Sequence, residues 1–300
     1  MKKLTYLSQQ VFSASEIGAV NKLIRVCSAY DRTHESIDIS VNSAYTCEPS
    51  LKLFHTAWAG KDIVGVTALF IPTMEEAELS GFVHPSYRNR GIFKNLLEKA
   101  VAELSAFNFP SLLFVCNDQS EIGLKMLKKA KIPYEFTEYS MILETDIAYQ
   151  KTGITLKRAY KKNIDEFIAL NVSIFKGSTQ NARILLEKTF QSDKMNCYSF
   201  IYDNSVIGMG CTANTKPEDT ASIFGFGILP EYRGKGLGKL SLYELTHYIH
   251  THYKKPARLE VNSRNQAALS LYTSLGFKTD SAYRYYRKPI ISLSLEEADR

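Results

Sequence analysis

Alternating glycines beside basic residues form the segment of this chain best suited to hold an anion. The segment reads Arg233-Gly234-Lys235-Gly236-Leu237-Gly238 and is followed by Lys239. Because glycine has no Cβ, an anion can approach such a backbone closely. The first N–H groups of a helix have no partner inside the helix, and the aligned peptide dipoles favour negative charge there. The segment therefore predicts a phosphate-binding loop, and an exposed basic loop with flexible glycines is the alternative.

The spacing of these glycines excludes two common nucleotide-binding motifs. A nucleoside-triphosphate loop has four residues between its glycines and then Lys-Ser or Lys-Thr, whereas here Lys239 is followed by leucine. A dinucleotide fingerprint has the order G-x-G-x-x-G, whereas Gly234, Gly236 and Gly238 are evenly spaced. The spacing therefore indicates a phosphate ligand of another class.

A strand and a helix flank the glycine loop and would position it. Ala221 to Leu229 is apolar, rich in β-branched and aromatic residues, and closed by Pro230, which indicates a strand. Between Lys239 and His252, apolar residues recur at three- and four-residue spacings, as in an amphipathic helix. The chain would thus pass from a strand through glycines into a helix N-terminus.

A second strand and helix follow the loop. Ala257 to Val261 is predicted to be a short strand, and Asn262 to Asn265 offers side chains that can cap a helix starting at Gln266. Leu275-Gly276-Phe277 ends that helix with the usual glycine. Two motifs therefore stand in order: R-G-K-G-L-G after an apolar strand, then L-E-V-N-x-x-N-x-x-A-x-x-L-Y-x-x-L-G-F.

With both motifs in this order, the chain from Thr155 to Lys288 resembles the GNAT superfamily of N-acetyltransferases. The resemblance implies an α/β (α+β) fold in which helices flank a mixed, mostly antiparallel twisted sheet. It also implies acetyl-CoA as the cofactor, bound where a parallel pair of strands splays apart. In this chain, the splayed pair would be Ala221 to Leu229 and its neighbour at Leu259 to Val261.

The resemblance also assigns cofactor contacts to individual residues. The pantetheine arm would pair with the strand backbone at Phe226, Ile228 and Leu229. The pyrophosphate would meet the N–H groups of the loop, which belong to Arg233, Gly234, Lys235, Gly236, Leu237, Gly238 and Lys239. Asn265 would contact the cofactor arm.

Tyr272 is the predicted catalytic residue. It follows Asn265 by seven residues, so both side chains would share one helix face about 10 Å apart. The resemblance places the Tyr272 hydroxyl at the cofactor sulfur, where a phenol with a pKa near 10 can protonate the departing thiolate as general acid. An ordinary packed aromatic is the alternative, because the chain contains 18 tyrosines.

The sequence identifies no general base for the attacking amine. Many members of the family use a carboxylate on the strand before the loop, but Ala221 to Leu229 contains none. Glu218 and Asp219 lie just before that strand, and three tyrosines follow the last helix, namely Tyr283, Tyr285 and Tyr286. Proton loss through water, or capture of an already neutral amine, is equally compatible with the sequence.

An internal repeat divides the chain into two similar halves. A shift of 145 residues lays Arg88 to Phe93 over Arg233 to Gly238, and Phe114 to Asn117 over Leu259 to Asn262. The same hairpin pattern precedes both loops. We therefore predict two tandem GNAT-like domains, 1–149 and 150–300, with the boundary near Gln150 to Gly153.

The first copy differs at the positions that would carry chemistry. Asn89 replaces Gly234 and Phe93 replaces Gly238, so we expect its loop to present the backbone less freely. The other site positions are also changed: Ser120 replaces Asn265, Leu127 replaces Tyr272 and Lys131-Ile132 replaces Gly276-Phe277. We interpret this half as a scaffold for the substrate cleft in preference to a cryptic acyl-CoA site.

Composition favours a cytoplasmic enzyme. Hydrophobic residues make up 45% of the chain and charged residues 23%, and no membrane span or signal segment is present in the sequence. The net charge is +6, but the sequence contains no basic helix with interleaved aromatic residues. No nucleic-acid partner is therefore predicted. The five cysteines form no C-x-x-C pair, and we expect free thiols and no metal site.

These observations predict transfer of the acetyl group of acetyl-CoA to a primary amine of a small molecule. The second half would catalyse direct attack in a ternary complex, with Tyr272 as general acid. A non-catalytic acyl-CoA-binding sensor or partner-binding protein is the alternative, and an acyl donor longer than acetyl is also open. No membrane partner is predicted, and a homodimer is left open.

Overall fold

The chain is described by a computed structural model over residues 3–33, 37, 39, 42–43, 46–144, 150–214 and 220–293. It forms two units, one made of Met1–Thr137 with Tyr283–Arg300 and the other of Glu138–Ala282. These units differ from the predicted contiguous domains 1–149 and 150–300. The difference arises because each unit takes one strand from the other half of the sequence.

The first unit contains five complete strands and three helices among its described residues. In chain order they are β1 (Leu4–Gln9), α1 (Ala14–Asp31), β2 (Phe54–Ala59), β3 (Asp62–Phe70), β4 (Ala77–Val83), α2 (Ile92–Ala106), β5 (Ser111–Asn117) and α3 (Glu121–Lys129). Strands β1 to β5 lie in sequence order, and residues Tyr283–Pro289 of the last strand pair with β5. Strands β4 and β5 are parallel, and the other neighbours are antiparallel.

The second unit repeats this plan. The remaining elements of the chain are β6 (Tyr134–Leu143), β7 (Thr155–Arg158), α4 (Ile164–Phe175), α5 (Thr179–Gln191), β8 (Met195–Tyr202), β9 (Ser205–Ala213), β10 (Ala221–Ile228), α6 (Leu237–Tyr248), β11 (Ala257–Asn262), α7 (Gln266–Ser274) and β12 (Lys278–Pro289). The second unit contains β6 from Glu138 onward and β12 up to Ala282. The sheet order is β7-β8-β9-β10-β11-β6. Strands β10 and β11 are parallel, and the remaining neighbours are antiparallel. The predicted mixed, mostly antiparallel sheet is confirmed.

Apolar side chains cover both faces of the sheet in the second unit. On one face, Leu242 and Leu245 of α6 pack with Leu259 and Val261 of β11. On the other face, Phe167 of α4 belongs to a cluster with residues of α5, β8 and β9. Full burial of a leucine or phenylalanine contributes about 1.5–3 kcal/mol, so these layers hold the loop-bearing strand in place.

Most of the predicted elements are confirmed, with two kinds of difference. The helix predicted from Lys239 to His252 begins at Leu237 and ends at Tyr248, and a π-helical turn over Ile249–Tyr253 follows it. Strands β6 and β12 were not predicted. Both lie beyond the last helix of their repeat and pair with a strand of the other half of the sequence.

The prediction that all cysteines are free thiols is wrong. Cys197 of β8 and Cys211 of β9 lie opposite each other in the hairpin and are joined by a disulfide. Their separation of 14 residues resembles no metal or redox spacing, and only the strand register brings the two sulfur atoms together. The three other cysteines, Cys27, Cys47 and Cys116, are not in disulfides.

Candidate active site

Strands β10 and β11 separate at the site that the sequence predicts. Their parallel pairing covers Ala221–Ile223 and Ala257–Leu259 only, although β10 continues to Ile228 and β11 to Asn262. A bulge accompanies the separation: Gly225 has a φ of 55°, and the register of β10 with β9 shifts between Phe224 and Gly227. The predicted splay is therefore confirmed. It leaves backbone groups on both facing edges that an extended ligand can pair with.

The glycine loop connects β10 to α6 in a conformation that favours glycine. Gly234 and Gly236 have φ of 73° and 75°, the left-handed region that a Cβ disfavours. A Cβ added at either residue would meet no atom within 4 Å, so the space above the loop is open. Gly236 is the N-cap of α6, which directs the N-terminal end of the helix dipole into this space.

Five consecutive N–H groups of the loop are available to an anion. The N–H groups of Gly234, Lys235, Gly236, Leu237 and Gly238 donate no hydrogen bond to another described residue. The sequence predicted a longer series of N–H donors, which also included Arg233 and Lys239. The N–H of Arg233 donates to the carbonyl of Pro230 at 3.2 Å, and the N–H of Lys239 donates to the carbonyl of Gly236 at 3.0 Å.

The guanidinium of Arg233 anchors the loop to the rest of the unit. Its Nε donates to the carbonyl of Ile228 at 2.8 Å, and one terminal nitrogen donates to the carbonyl of Ile174 in α4 at 2.8 Å. The first unit has a similar anchor, because Nε of Arg88 donates to the carbonyl of Val83 at 3.0 Å. Arg233 therefore positions the loop through its side chain.

Lysine side chains surround the available N–H groups. Nζ of Lys235 donates to the carbonyl of Glu231 at 2.9 Å and lies 5.6 Å from the ring centroid of Tyr232. Lys235 and Lys239 are both exposed, so each can turn toward an anion in solvent. The loop therefore combines fixed backbone donors with adjustable positive charge.

Some backbone groups that were predicted to contact the cofactor arm already make hydrogen bonds within the second unit. The N–H of Leu229 donates to the carbonyl of Ile207 at 2.9 Å, and the carbonyl of Ile228 already accepts from Arg233. The ring of Phe226 lies 5.5 Å from that of Phe200. The backbone groups at Ile228 and Leu229 that make these bonds are therefore not open to a ligand.

Tyr272 occupies a fixed position at the end of α7. The N–H of Phe277 donates to its carbonyl at 3.1 Å, and the N–H of Gly276 donates to the carbonyl of Thr273 at 3.0 Å. With Gly276 at a φ of 93°, this is a Schellman motif. Tyr272 is 8% exposed, and burial raises its pKa above the ordinary value of 10.0. Its hydroxyl makes no hydrogen bond to a described residue and stays protonated at neutral pH.

Asn265 begins the same helix. Its Oδ1 accepts the N–H of Ala268 at 3.1 Å, which makes it the N-cap of α7. The cap fixes the side chain on the exposed end of the helix and leaves its Nδ2 group for other partners. The predicted contact between Asn265 and the cofactor arm stays a prediction.

The first unit preserves the geometry of the loop but not its open surface. Its strands β4 and β5 also stop pairing, after Leu79 and Phe114. Asn89 and Gly91 have φ of 59° and 68°, so Asn89 keeps the left-handed backbone that Gly234 has in the second unit. Asparagine tolerates the left-handed conformation, and the loop is therefore retained.

A reciprocal exchange of glycine and phenylalanine distinguishes the two units. The second unit has Phe226 on the strand and Gly238 on the helix, whereas the first unit has Gly81 and Phe93 at the matching positions. A Cβ at Gly81 would lie 2.6 Å from Cε2 of Phe93, so that ring packs directly over strand β4. A cavity of about 280 Å³ remains beside it, with Leu127 where the second unit has Tyr272. The first unit therefore places a phenylalanine ring against its strand and lacks the phenol.

Two carboxylates near the splay were missed as site residues by sequence reasoning. Glu138 of β6 and Glu260 of β11 lie in the second unit, and burial together with the Glu260 carboxylate raises the pKa of Glu138 to about 7. Glu260 could have been noticed within L-E-V-N, but no local signal marks Glu138. The earlier candidates Glu218 and Asp219 lie outside the described residues, and Tyr283, Tyr285 and Tyr286 belong to the first unit.

No group of three or more histidine, cysteine, aspartate or glutamate side chains among the described residues could hold a metal ion. No helix in the part of the chain that the structure describes combines the length and apolar character that crossing a membrane requires.

The chain belongs to the acetyltransferase (GNAT) family, whose model matches residues 19–128 and 164–277. Its structure is similar to that of a GCN5-related N-acetyltransferase from Sphaerobacter thermophilus, with a TM-score of 0.73, 14% identity, and coverage of 95% of this chain and 96% of the other. A tandem GNAT protein from the clavulanic acid biosynthesis pathway has a TM-score of 0.73 at 15% identity, covering 96% and 99%. The predicted family and tandem arrangement are confirmed.

Two relatives of known activity resemble different lengths of the chain. A mycothiol acetyltransferase of Corynebacterium glutamicum is 24% identical over 256 residues, which cover 80% of this chain and 84% of the relative. A [ribosomal protein bS18]-alanine N-acetyltransferase of Haemophilus influenzae is 33% identical over 103 residues, covering 34% and 68%. The family membership and these relatives identify the chain as an acetyl-transferring enzyme.

Proposed function

We propose that the second unit transfers the acetyl group of acetyl-CoA to a primary amine of a small molecule. The amine would attack directly in a ternary complex, and Tyr272 would act as general acid. The mycothiol acetyltransferase described above matches 80% of this chain. This similarity favours a small molecule over a protein as the acceptor.

The observation that carries this proposal is a loop of N–H donors that stands next to a gap between two strands. The loop from Gly234 to Gly238 offers consecutive N–H donors at a helix N-terminus to the phosphates. The separated edges of β10 and β11 offer backbone groups to an extended arm. Acetyl-CoA would supply the acetyl group as a thioester.

Tyr272 has the properties that a general acid for this reaction needs. Burial raises its pKa, so the phenol carries its proton at neutral pH. Its hydroxyl is not engaged by another described side chain, and the Schellman motif fixes its place in the helix. Protonation of a sulfur leaving group by a positioned phenol accelerates such a step by about 10²–10⁴-fold.

The experiment is a comparison of Tyr272→Phe with the wild type in a panel of primary amines, measured by release of the free CoA thiol. We expect kcat to fall at least about 10²-fold, with unchanged affinity for acetyl-CoA by calorimetry. Tyr202→Phe is the matched control, because it removes an exposed hydroxyl of the same unit. Tight binding of acetyl-CoA without turnover of any amine would instead identify a binding protein.

A further inference from the structure

Strand β6 carries a carboxylate to the part of β11 that has left β10. Glu138 pairs with Asn262 and Ser140 with Glu260 in the β6–β11 ladder. The pairing of β11 with β10 has already ended at Leu259. Glu138 therefore lies on the strand next to β11, about 5 Å from it in the plane of the sheet, and the open gap begins at the other edge of β11.

Glu138 and Glu260 project from the same face of the sheet. In an antiparallel pair they are diagonal neighbours, about 7–8 Å apart at Cα and within reach of each other's side chains. The electrostatic influence of Glu260 on Glu138 agrees with this placement. Two carboxylates on one face next to the gap form a negatively charged site.

This face is opposite to that of Tyr272. The alternate residues Leu259 and Val261 of β11 point the other way, into the apolar cluster that contains Tyr272. A group that serves the attacking amine and a group that serves the leaving sulfur are expected on opposite sides of the reacting carbonyl. The sheet thus separates a phenol on one face from a pair of carboxylates on the other.

A basic residue of β11 lies on the carboxylate face as well. Arg258 of β11 donates to Ser140 Oγ at 2.8 Å and forms an ion pair with Asp280 at 2.6 Å. Its positive charge is thus balanced by Asp280. Glu138 and Glu260 form the negative site of this face at the splayed end of β11.

We propose that Glu138 is the general base of the second unit and takes the proton of the attacking amine. This role rests on the proposed acetyl transfer. It gives the acceptor a chemical class: a protonated alkyl amine that needs a base before it can attack. The first half of the sequence would then contribute a catalytic residue to the second unit through strand β6.

The reaction requires a base that accepts two protons from the nitrogen, one after the other. Conversion of an ammonium to an amide removes two protons from nitrogen while the C–N bond forms and the C–S bond breaks. Tyr272 donates one proton to sulfur and regains one from solvent. Glu138 accepts the first nitrogen proton and returns it to solvent, then accepts the second and returns that as well, so the reaction releases one proton overall and both residues regain their starting states.

The test compares Glu138→Gln with the wild type on two acceptors, an alkylamine that turns over and an alkoxyamine that is neutral near pH 7. We expect kcat for the alkylamine to fall about 10²-fold or more, with a much smaller fall for the alkoxyamine. Affinity for acetyl-CoA is expected to stay unchanged by calorimetry. Glu144→Gln, an exposed carboxylate just after β6, is the matched control and is expected to keep wild-type kcat.

A second readout does not depend on turnover. Infrared spectra near neutral pH are expected to show the carbonyl band of a protonated carboxyl group that Glu138→Gln removes and Glu144→Gln retains. Equal losses of kcat on both acceptors, or full activity of Glu138→Gln, would overturn the role of Glu138 alone. A wild-type protein that acetylates no amine would overturn the proposed function itself.

Discussion

The ring of Tyr272 and the ring of Phe277 lie 6.0 Å apart at the end of α7, and the backbone N–H of Phe277 donates to the Tyr272 carbonyl. The first unit has the same turn, with Leu127 and Ile132 in these positions and Lys131 at a φ of 49°. Each unit therefore has the same type of turn at this point, but only the turn of the second unit presents a phenol. The turn is a structural device that the second unit uses to position a side chain.

Gly276→Ala tests whether this turn positions Tyr272. Gly276 has a φ of 93°, and an added Cβ would lie 3.5 Å from Leu143, so the backbone conformation is the main cost. We expect the free energy of unfolding to fall by about 1–2 kcal/mol in urea titrations, and kcat to fall with it. Gly18→Ala in the interior of α1 is the control, since its Cβ meets nothing within 4 Å and alanine favours a helix. Unchanged kcat in Gly276→Ala would contradict the positioning role.

Gly236→Ala tests the loop as a phosphate site. Gly236 has a φ of 75° and caps α6, so a Cβ strains the backbone whose N–H groups the ligand would use. We expect calorimetry to show an affinity for acetyl-CoA that is lower by roughly tenfold, the equivalent of about 1–2 kcal/mol of strain. Gly177→Ala, at an exposed residue whose Cβ meets nothing, should bind like the wild type. Wild-type affinity of Gly236→Ala would exclude the loop.

Gly227 is required by a close approach of α4 to β10. A Cβ there would lie 2.3 Å from Cγ2 of Ile174 and 3.0 Å from the ring of Phe175. Gly227→Ala is therefore expected to destabilise the fold by about 1–3 kcal/mol in urea titrations. Adding Ile174→Ala should recover part of that loss, because it removes the clashing methyl group. Additive effects in this double-mutant cycle would contradict the contact.

The pH dependence of stability should report Glu138. Burial and Glu260 raise its pKa from 4.5 to about 7, so the folded state binds more protons than the unfolded state between these values. Its contribution is therefore present below about pH 4.5 and is lost as the pH rises through about 7. Urea midpoints of the wild type should fall over this window relative to those of Glu138→Gln. Parallel curves for the two proteins would show that Glu138 titrates normally.

Local patterns in the sequence predicted the parts of the site that are built locally. The path from β10 through Gly234 and Gly236 into α6 follows from glycine spacing and apolar periodicity, as does the cap at Asn265. Family resemblance added the splay of β10 from β11. The loop, the start of α6 and the cap depend on neighbouring residues, so a short segment of sequence is enough to predict them.

Features that depend on distant pairing were missed. The disulfide between Cys197 and Cys211 depends on the exact register of β8 with β9. Glu138 reaches the second unit because β6 pairs with β11, which lies more than 100 residues further along the chain. The backbone conformation at Asn89 was not predicted either: its side chain is unlike glycine, yet its backbone adopts the same left-handed conformation.

Calorimetric titration of the purified protein with acetyl-CoA tests the central claim most directly, since the second unit is assigned its function through the N–H groups of the glycine loop. We predict saturable binding that Gly236→Ala weakens and Tyr272→Phe leaves intact. No detectable association of the wild type with acetyl-CoA or with free CoA would contradict the assignment.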